Sequence, residues 1–160
     1  MATSKQPVAY ILVGVPGSGK STWIANQPFD WNRTVVASTD NYVERQASDQ
    51  GKTYNDVFHD VMPDAVKHMA MTVVDAVRQK FDIVWDQTST TVATRRKKLR
   101  MLPPAYKTIA VVFATPEEKE HARRLNSRPG KVIPGEVLNS MISKFEMPTR
   151  EEGFDEVWHV

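Results

Sequence analysis

A chain of 160 residues is one domain of ordinary size, here with enough apolar content (41%) to bury a single core and enough charge (25%) to exclude a fibrous or disordered protein. It has no cysteine, which excludes a disulfide framework, a thiolate metal site and a cysteine nucleophile. The opening MATSKQP lacks an apolar signal core and no run reaches membrane-span length, so the expectation is a cytoplasmic protein, a single domain over residues 1–160, with no membrane partner.

Val8–Val13 is a continuous apolar run ending at glycine and predicts a strand buried on both faces. A glycine-rich loop follows, and a helix from Lys20 to about Ala25 stops at Asn26-Gln27-Pro28. Thr34–Ser38 predicts a second strand, ended by Thr39-Asp40, and Asn41–Asp60 is either a substrate loop or an irregular helix. Pro63 can open a helix to about Lys80, whose Val66, Ala70, Val73, Val74 and Val77 should face the core. Asp82–Trp85 predicts a third strand stopped by Asp86, Thr108–Ala114 a fourth and Val157–Val160 a fifth. Helices are expected over Arg95–Met101, over Pro116–Asn126 with Thr115 as cap, and over Pro134–Phe145. Such alternation predicts an α/β fold with a parallel sheet covered on both faces, and binding at the carboxyl ends of its strands.

Gly14-Val15-Pro16-Gly17-Ser18-Gly19-Lys20-Ser21 fits G-x-x-x-x-G-K-[ST] in full, between a strand and a helix as the motif requires. The glycines let backbone N–H groups turn inward around phosphates, with the positive end of the helix behind them. Lys20 is placed to reach the β- and γ-oxygens and the Ser21 hydroxyl to ligate Mg²⁺. Gly14, Pro16, Gly17, Ser18, Gly19, Lys20, Ser21 and Thr22 are therefore the candidate nucleotide-binding residues.

Phosphoryl transfer to a hydroxyl also needs a carboxylate that takes the acceptor proton. Asp40 and Asp86 each follow a strand and should project beside the phosphates. Asp40 is the candidate base and Asp86 the candidate Mg²⁺ partner, although an aspartate at such a place can simply cap a helix. Arg124 and Arg128 lie one helical turn apart and are candidates for clamping the donor phosphates, or else part of a solvated face. Pro129-Gly130 and Pro134-Gly135 bracket a hinge at which such a lid could close. Between Ala93 and Lys131 there are eleven Lys or Arg against three Glu, whereas the rest of the chain is acidic on balance. That asymmetry suits a polyanionic partner or a solvated basic helix.

On GVPGSGKST, STD at 38–40, WDQT at 85–88 with RRKKL after it, and RLNSRPGKVIP followed by EVLNSM, the sequence resembles the polynucleotide-kinase-like P-loop kinases of phages over most of its length. The resemblance implies a three-layer sandwich with a five-stranded parallel sheet in order 2-3-1-4-5, helices on both faces and a short arginine-bearing lid. It also implies ATP as donor, Mg²⁺ as cofactor, Asp40 as general base, and Lys20, Arg124 and Arg128 on the transferring phosphate. Lys131 and Pro134 match the family's lid in spacing. The acceptor would be a hydroxyl on DNA or RNA.

One departure bears on the acceptor. Family members that phosphorylate 5′-hydroxyl ends carry Asp-Asp and then Arg three residues past the base, where this chain reads Asp40-Asn41-Tyr42-Val43, with Arg45 displaced by two. The pattern resembles the phage kinases that phosphorylate the hydroxymethyl group of 5-hydroxymethyluracil in DNA. A base inside a duplex would have to be flipped out to reach Asp40. Tyr42, Tyr54 or Trp85 would then stack on it, if they are not core residues, and Arg45, Arg95, Arg96 and Lys97, with Lys98, would meet flanking phosphates. A 5′-hydroxyl kinase, a nucleoside or sugar kinase, and an NTPase without kinase activity are the alternatives.

Overall fold

A computed structural model describes residues 5–160. Five parallel strands, β1 (Val8–Val13), β2 (Thr34–Ala37), β3 (Asp82–Trp85), β4 (Lys107–Val112) and β5 (Glu156–His159), form one sheet in the order β2-β3-β1-β4-β5. This is the order the resemblance implies, and the strands lie within a residue or two of the expected runs. Because the sheet is covered on both faces, β1 has no solvent side: only Tyr10 is less than fully packed. Ala9, Ile11 and Val13 face one core with Ile83, Trp85, Ala110 and Val112, whereas Val8, Leu12, Val84, Ile109 and Val111 face the other.

Helix α1 (Lys20–Asn26) covers the second of these faces through Trp23 and Ile24. Helices α3 (Tyr54–Gln79) and α4 (Val92–Arg100) cover the first, α3 through Met69, Val73, Ala76 and Val77 and α4 through Leu99. Helix α2 (Thr39–Asp49) packs on α3 around a separate small core of Val43, Ala47, Val57 and Ala65. Helices α5 (Glu118–Asn126) and α6 (Gly135–Ser143) follow β4, and a 3₁₀ turn (Arg150–Glu152) leads into β5.

Several expectations are corrected. The stretch 41–60 is neither loop nor irregular: it holds most of α2 and the start of α3, which a capping box at Thr53 and Asp56 begins well before Pro63. Pro63 lies inside α3 on its exposed side, where the carbonyl it leaves without a helical partner faces water. The buried stripe of α3 runs through Ala65, Val73 and Ala76, so Val66 (47% exposed) and Val74 (36% exposed) point outward. Helix α4 starts at Val92 under a Thr91 cap rather than at Arg95. Thr115 caps nothing, since α5 starts only after Glu117. Trp85 is 1% exposed beneath α4 and cannot stack on a ligand, and Tyr42 packs against His68 at a 5.0 Å ring separation.

Candidate active site

The carboxyl ends of β1, β2 and β3 open into one cleft of about 1490 Å³. The loop between β1 and α1 forms its floor. Gly14 N–H donates to the Thr88 carbonyl (2.9 Å), tying the loop to the residues after β3. A Cβ at Gly14 would sit 2.5 Å from Ser18 Oγ and 2.9 Å from Phe113 Cβ, so only glycine fits. Gly19 turns the chain into α1 at φ +104°, a left-handed conformation costly for any side chain. Lys20 Nζ donates to the carbonyls of Gly14 (2.8 Å) and Val15 (2.9 Å), which arches the loop over the ammonium. Burial lowers the Lys20 pKa to about 8 against the opposing pull of Asp86 and Asp40. Burial also raises the Asp86 pKa, with Lys20 the main group holding it down.

Ser38 caps α2 through its hydroxyl, so Asp40 is free of that task. Its carboxylate stands at the N-terminal turn of α2 and lines the cleft. Tyr54 Oη donates to Asp40 Oδ1 (2.7 Å) from the first residue of α3, and Lys131 Nζ donates to Oδ2 (3.2 Å) and to Glu44 (3.1 Å). The ammonium of Lys131 also lies 4.6 Å from the centre of the Tyr54 ring. Burial and the hydrogen bond to Asp40 push the Tyr54 phenol far above its ordinary pKa, so it stays a donor at any working pH. One carboxylate is thus held at both oxygens by donors from two other elements, and the α2–α3 core sets the distance between them.

Helix α5 closes the phosphate end. Buried His121 makes a 2.6 Å hydrogen bond to the Pro16 carbonyl, and Arg124 donates to the Gly17 carbonyl (3.2 Å) while paired with Glu120 (2.9 Å). The two arginines on Glu120 hold its carboxyl down to about 2. Arg128 follows in the next segment, with Nε and Nη2 buried and unpartnered among the described residues. From Gly130 to Val132 the chain is clamped to α3: Asn55 N–H donates to the Gly130 carbonyl (3.0 Å), and the Asn55 amide exchanges two hydrogen bonds with the Val132 backbone. The sequence singled out neither His121 nor Asn55. A histidine in a basic helix and an asparagine after a cap carry no pattern of their own.

Of the residues proposed from sequence, Pro16, Gly17, Ser18, Gly19, Lys20, Ser21, Thr22, Asp40, Asp86, Arg124 and Arg128 all line this cleft. The proposed nucleic-acid set does not assemble. Arg95 is fully buried: its guanidinium binds Glu152 by two hydrogen bonds (2.8 and 3.0 Å) and donates to the Ser89 carbonyl (2.9 Å), a structural ion pair out of reach of any phosphate. Arg96 and Lys97 are exposed on α4 and Arg45 on α2, and none of them borders the cleft. The basic surplus after Ala93 is dispersed in the same way, because Lys107 pairs with Glu156 (2.6 Å) and Arg123 with Glu120 (2.6 Å).

The chemistry of the cleft fits a nucleotide polyphosphate. Ser18 Oγ and two nitrogens of Arg128 are buried donors without a partner among the described residues, all at the end where Lys20 and Arg124 sit. Ser21 and Asp86, two hard oxygen donors on the cleft, would hold Mg²⁺, because one or two such ligands completed by phosphate oxygens is the pattern Mg²⁺ prefers.

The fold and this loop together define a P-loop nucleotide-binding protein with the sheet order of P-loop kinases. A family model described as an AAA domain matches residues 10–148, and the chain belongs to that family. Several solved structures share its fold. A provisionally assigned kinase from Chloroflexus aurantiacus superposes with a TM-score of 0.69 at 16% identity, over 98% of this chain and 88% of that one. A chain of the Pnkp1/Rnl/Hen1 RNA repair complex gives 0.66 at 21% identity over 89% of this chain, and a chain of the PezAT chromosomal toxin–antitoxin system of Streptococcus pneumoniae gives 0.62 at 20% over 76%. This chain spans only 45% of the RNA repair chain and 52% of the PezAT chain.

Proposed function

We propose that this chain is an ATP-dependent phosphotransferase whose acceptor is a hydroxyl on DNA, the hydroxymethyl group of 5-hydroxymethyluracil. The observation that carries the reading is the convergence of Lys20, Asp40 and Arg128 on one cleft from the ends of three different segments. Asp40 takes the proton of the acceptor hydroxyl as its oxygen bonds to the γ-phosphorus. The bond from that phosphorus to the β–γ bridging oxygen breaks, and ADP leaves. Tyr54 and Lys131 orient the Asp40 carboxylate, and Lys131 must yield Oδ2 when the acceptor arrives. Lys20, leaving the loop carbonyls, and Arg128 meet the negative charge of the γ-phosphate. Mg²⁺ bound at Ser21 and Asp86 would supply further charge neutralisation on the phosphates.

The acceptor wall favours a flat ring. Tyr54, which bonds Asp40, stacks near Phe58, and both line the cleft with Met62, Ile133, Val137 and Met141. Val43, at the place where 5′-end kinases carry an arginine, is 0% exposed in the α2–α3 core, so no cation reaches the acceptor from that position. A 5′-hydroxyl end of a polynucleotide and a small molecule such as a nucleoside or sugar are the alternative acceptors. The test is an acceptor panel with γ-labelled ATP: hydroxymethyluracil-containing DNA, ordinary 5′-hydroxyl DNA and free nucleosides. Label confined to the first supports the proposal, whereas label confined to 5′ ends or to free nucleosides overturns it.

A further inference from the structure

Lys98 is the one member of the Arg95–Lys98 basic run that turns into the cleft, and nothing in the donor chemistry uses it. Its residue is 9% exposed, its Nζ lies 5.7 Å from the centre of the Trp85 ring, and it has neither a hydrogen bond nor an ion pair among the described residues. Ser89, 3% exposed and also lining the cleft, carries a buried hydroxyl with no partner, and the buried Nε1 of Trp85 beneath Lys98 has none either. Ser89 is held at φ +45° in the loop after β3, with its carbonyl fixed by Arg95. Thr94, one helical turn before Lys98, borders the same part of the cleft.

A buried donor without an acceptor is costly, and an ammonium on a buried stem that meets the cleft without a counter-ion gains by meeting an anion. A cation without a counter-ion and a buried unpartnered hydroxyl on a left-handed serine, both on one cleft, suit an anionic oxygen. The local field agrees. Burial lowers the Lys98 pKa to about 8, and the charged neighbours that act on it, Arg95 and Lys97, are both cations. Glu152 is consumed by Arg95. The site is separate from the donor phosphate cradle, which is built from the β1–α1 loop and the α5 segment, whereas Ser89, Thr94 and Lys98 come from β3–α4.

We infer that Lys98 and Ser89, with Thr94, form an anion subsite that binds a phosphate or carboxylate of the acceptor molecule. The inference rests on the phosphotransferase reading for the word acceptor, but its test needs no turnover. In a DNA acceptor the anion is a phosphodiester next to the target nucleotide; in a small acceptor it is the molecule's own acid group.

The experiment fills the donor site with saturating Mg²⁺ and a non-hydrolysable ATP analogue, then titrates wild type, Lys98→Met, Lys98→Arg and Ser89→Gly by calorimetry. The probes are a short hydroxymethyluracil-containing oligonucleotide, the same oligonucleotide with neutral methylphosphonates flanking the modified base, inorganic phosphate, and shikimate as a small carboxylate. Ser89→Gly removes the hydroxyl while relieving the positive φ, so lost binding there is not lost folding. The expected result is at least tenfold weaker binding of the phosphodiester oligonucleotide by Lys98→Met, a smaller loss in Ser89→Gly, retention in Lys98→Arg, and little difference between Lys98→Met and wild type on the methylphosphonate probe. Loss confined to shikimate or free phosphate assigns the anion to a small acceptor and keeps the subsite while overturning the DNA reading. Equal binding of every probe by wild type and Lys98→Met overturns the subsite. So does equal weakening of the ATP analogue itself, which would make Lys98 a structural residue of the whole cleft.

Discussion

At the β1–α1 end of the cleft one loop is held by hydrogen bonds within itself and to α5, while around Asp40 side chains from α2, α3 and the segment after α5 meet only because α2 and α3 pack together. The difference is one of tolerance. A loop whose backbone makes the contacts depends on glycines and on one lysine, so few substitutions fit it. A wall made of side chains on separate helices, such as Tyr54 on α3 and Asp40 on α2, can change one residue at a time without altering the backbone of the β1–α1 loop. On the proposed reading, this couples a donor site fixed by backbone to an acceptor site set by side chains.

The sharpest way to break that comparison is Asp40→Asn. It should lower phosphoryl transfer by about 10³- to 10⁴-fold and leave the nucleotide Kd within about twofold, measured by single-turnover kinetics and calorimetry. An equal loss of nucleotide affinity would join the two ends into one unit. Next in size is Arg95→Met, which leaves Glu152 buried without its partner. It should cost about 3–5 kcal/mol of stability, read as a fall in Tm, and DNA affinity per folded molecule should not change. Gly14→Ala presses a Cβ onto Ser18 and Phe113. A cost of about 1–3 kcal/mol is expected, together with weaker nucleotide binding, and a variant that binds nucleotide normally would show the loop less rigid than described.

Tyr54→Phe removes the hydrogen bond to Asp40 Oδ1 and keeps the ring. Here kcat should fall about tenfold, the value of one hydrogen bond to a charged group, with KM for ATP unchanged. The smallest effect is on stability against pH. Lys20 and Lys98 each have a folded-state pKa of about 8, below the ordinary 10.5, so above pH 8 the unfolded chain binds more protons than the folded one. Stability of the nucleotide-free protein should therefore rise from pH 8 to about 9.5, by on the order of 1 kcal/mol per lysine. The raised phenols of Tyr10, Tyr54 and Tyr106 oppose it only at higher pH. Lys98→Met should remove about half of that slope in a Tm series, and an unchanged slope would mean that Lys98 is solvated.

Much of the donor half was legible in the chain. Periodicity located all five strands, because runs such as VAYILV must be buried on both faces, and the glycine spacing is demanded by the backbone rather than by neighbours. Residues 41–60 were not legible, since their signals are a cap at Ser38, a capping box at Thr53 and Asp56, and three small apolar residues, Val43, Ala47 and Val57, whose pairing appears only when α2 meets α3. The basic run after Thr94 was misleading for a related reason: four adjacent cations look alike in sequence, but a helix sends Arg95 inward to Glu152, Arg96 and Lys97 to solvent, and Lys98 into the cleft.

By itself, then, the sequence determined the α/β class, the strand positions and the phosphate loop, because each follows from contacts between residues close in the chain or from backbone geometry. Only the tertiary structure decided which charges are structural and which are free, and which side chains surround Asp40. Those depend on partners 14, 91 and 57 residues away, for Tyr54, Lys131 and the Arg95–Glu152 pair, and no local pattern encodes a distance of that kind.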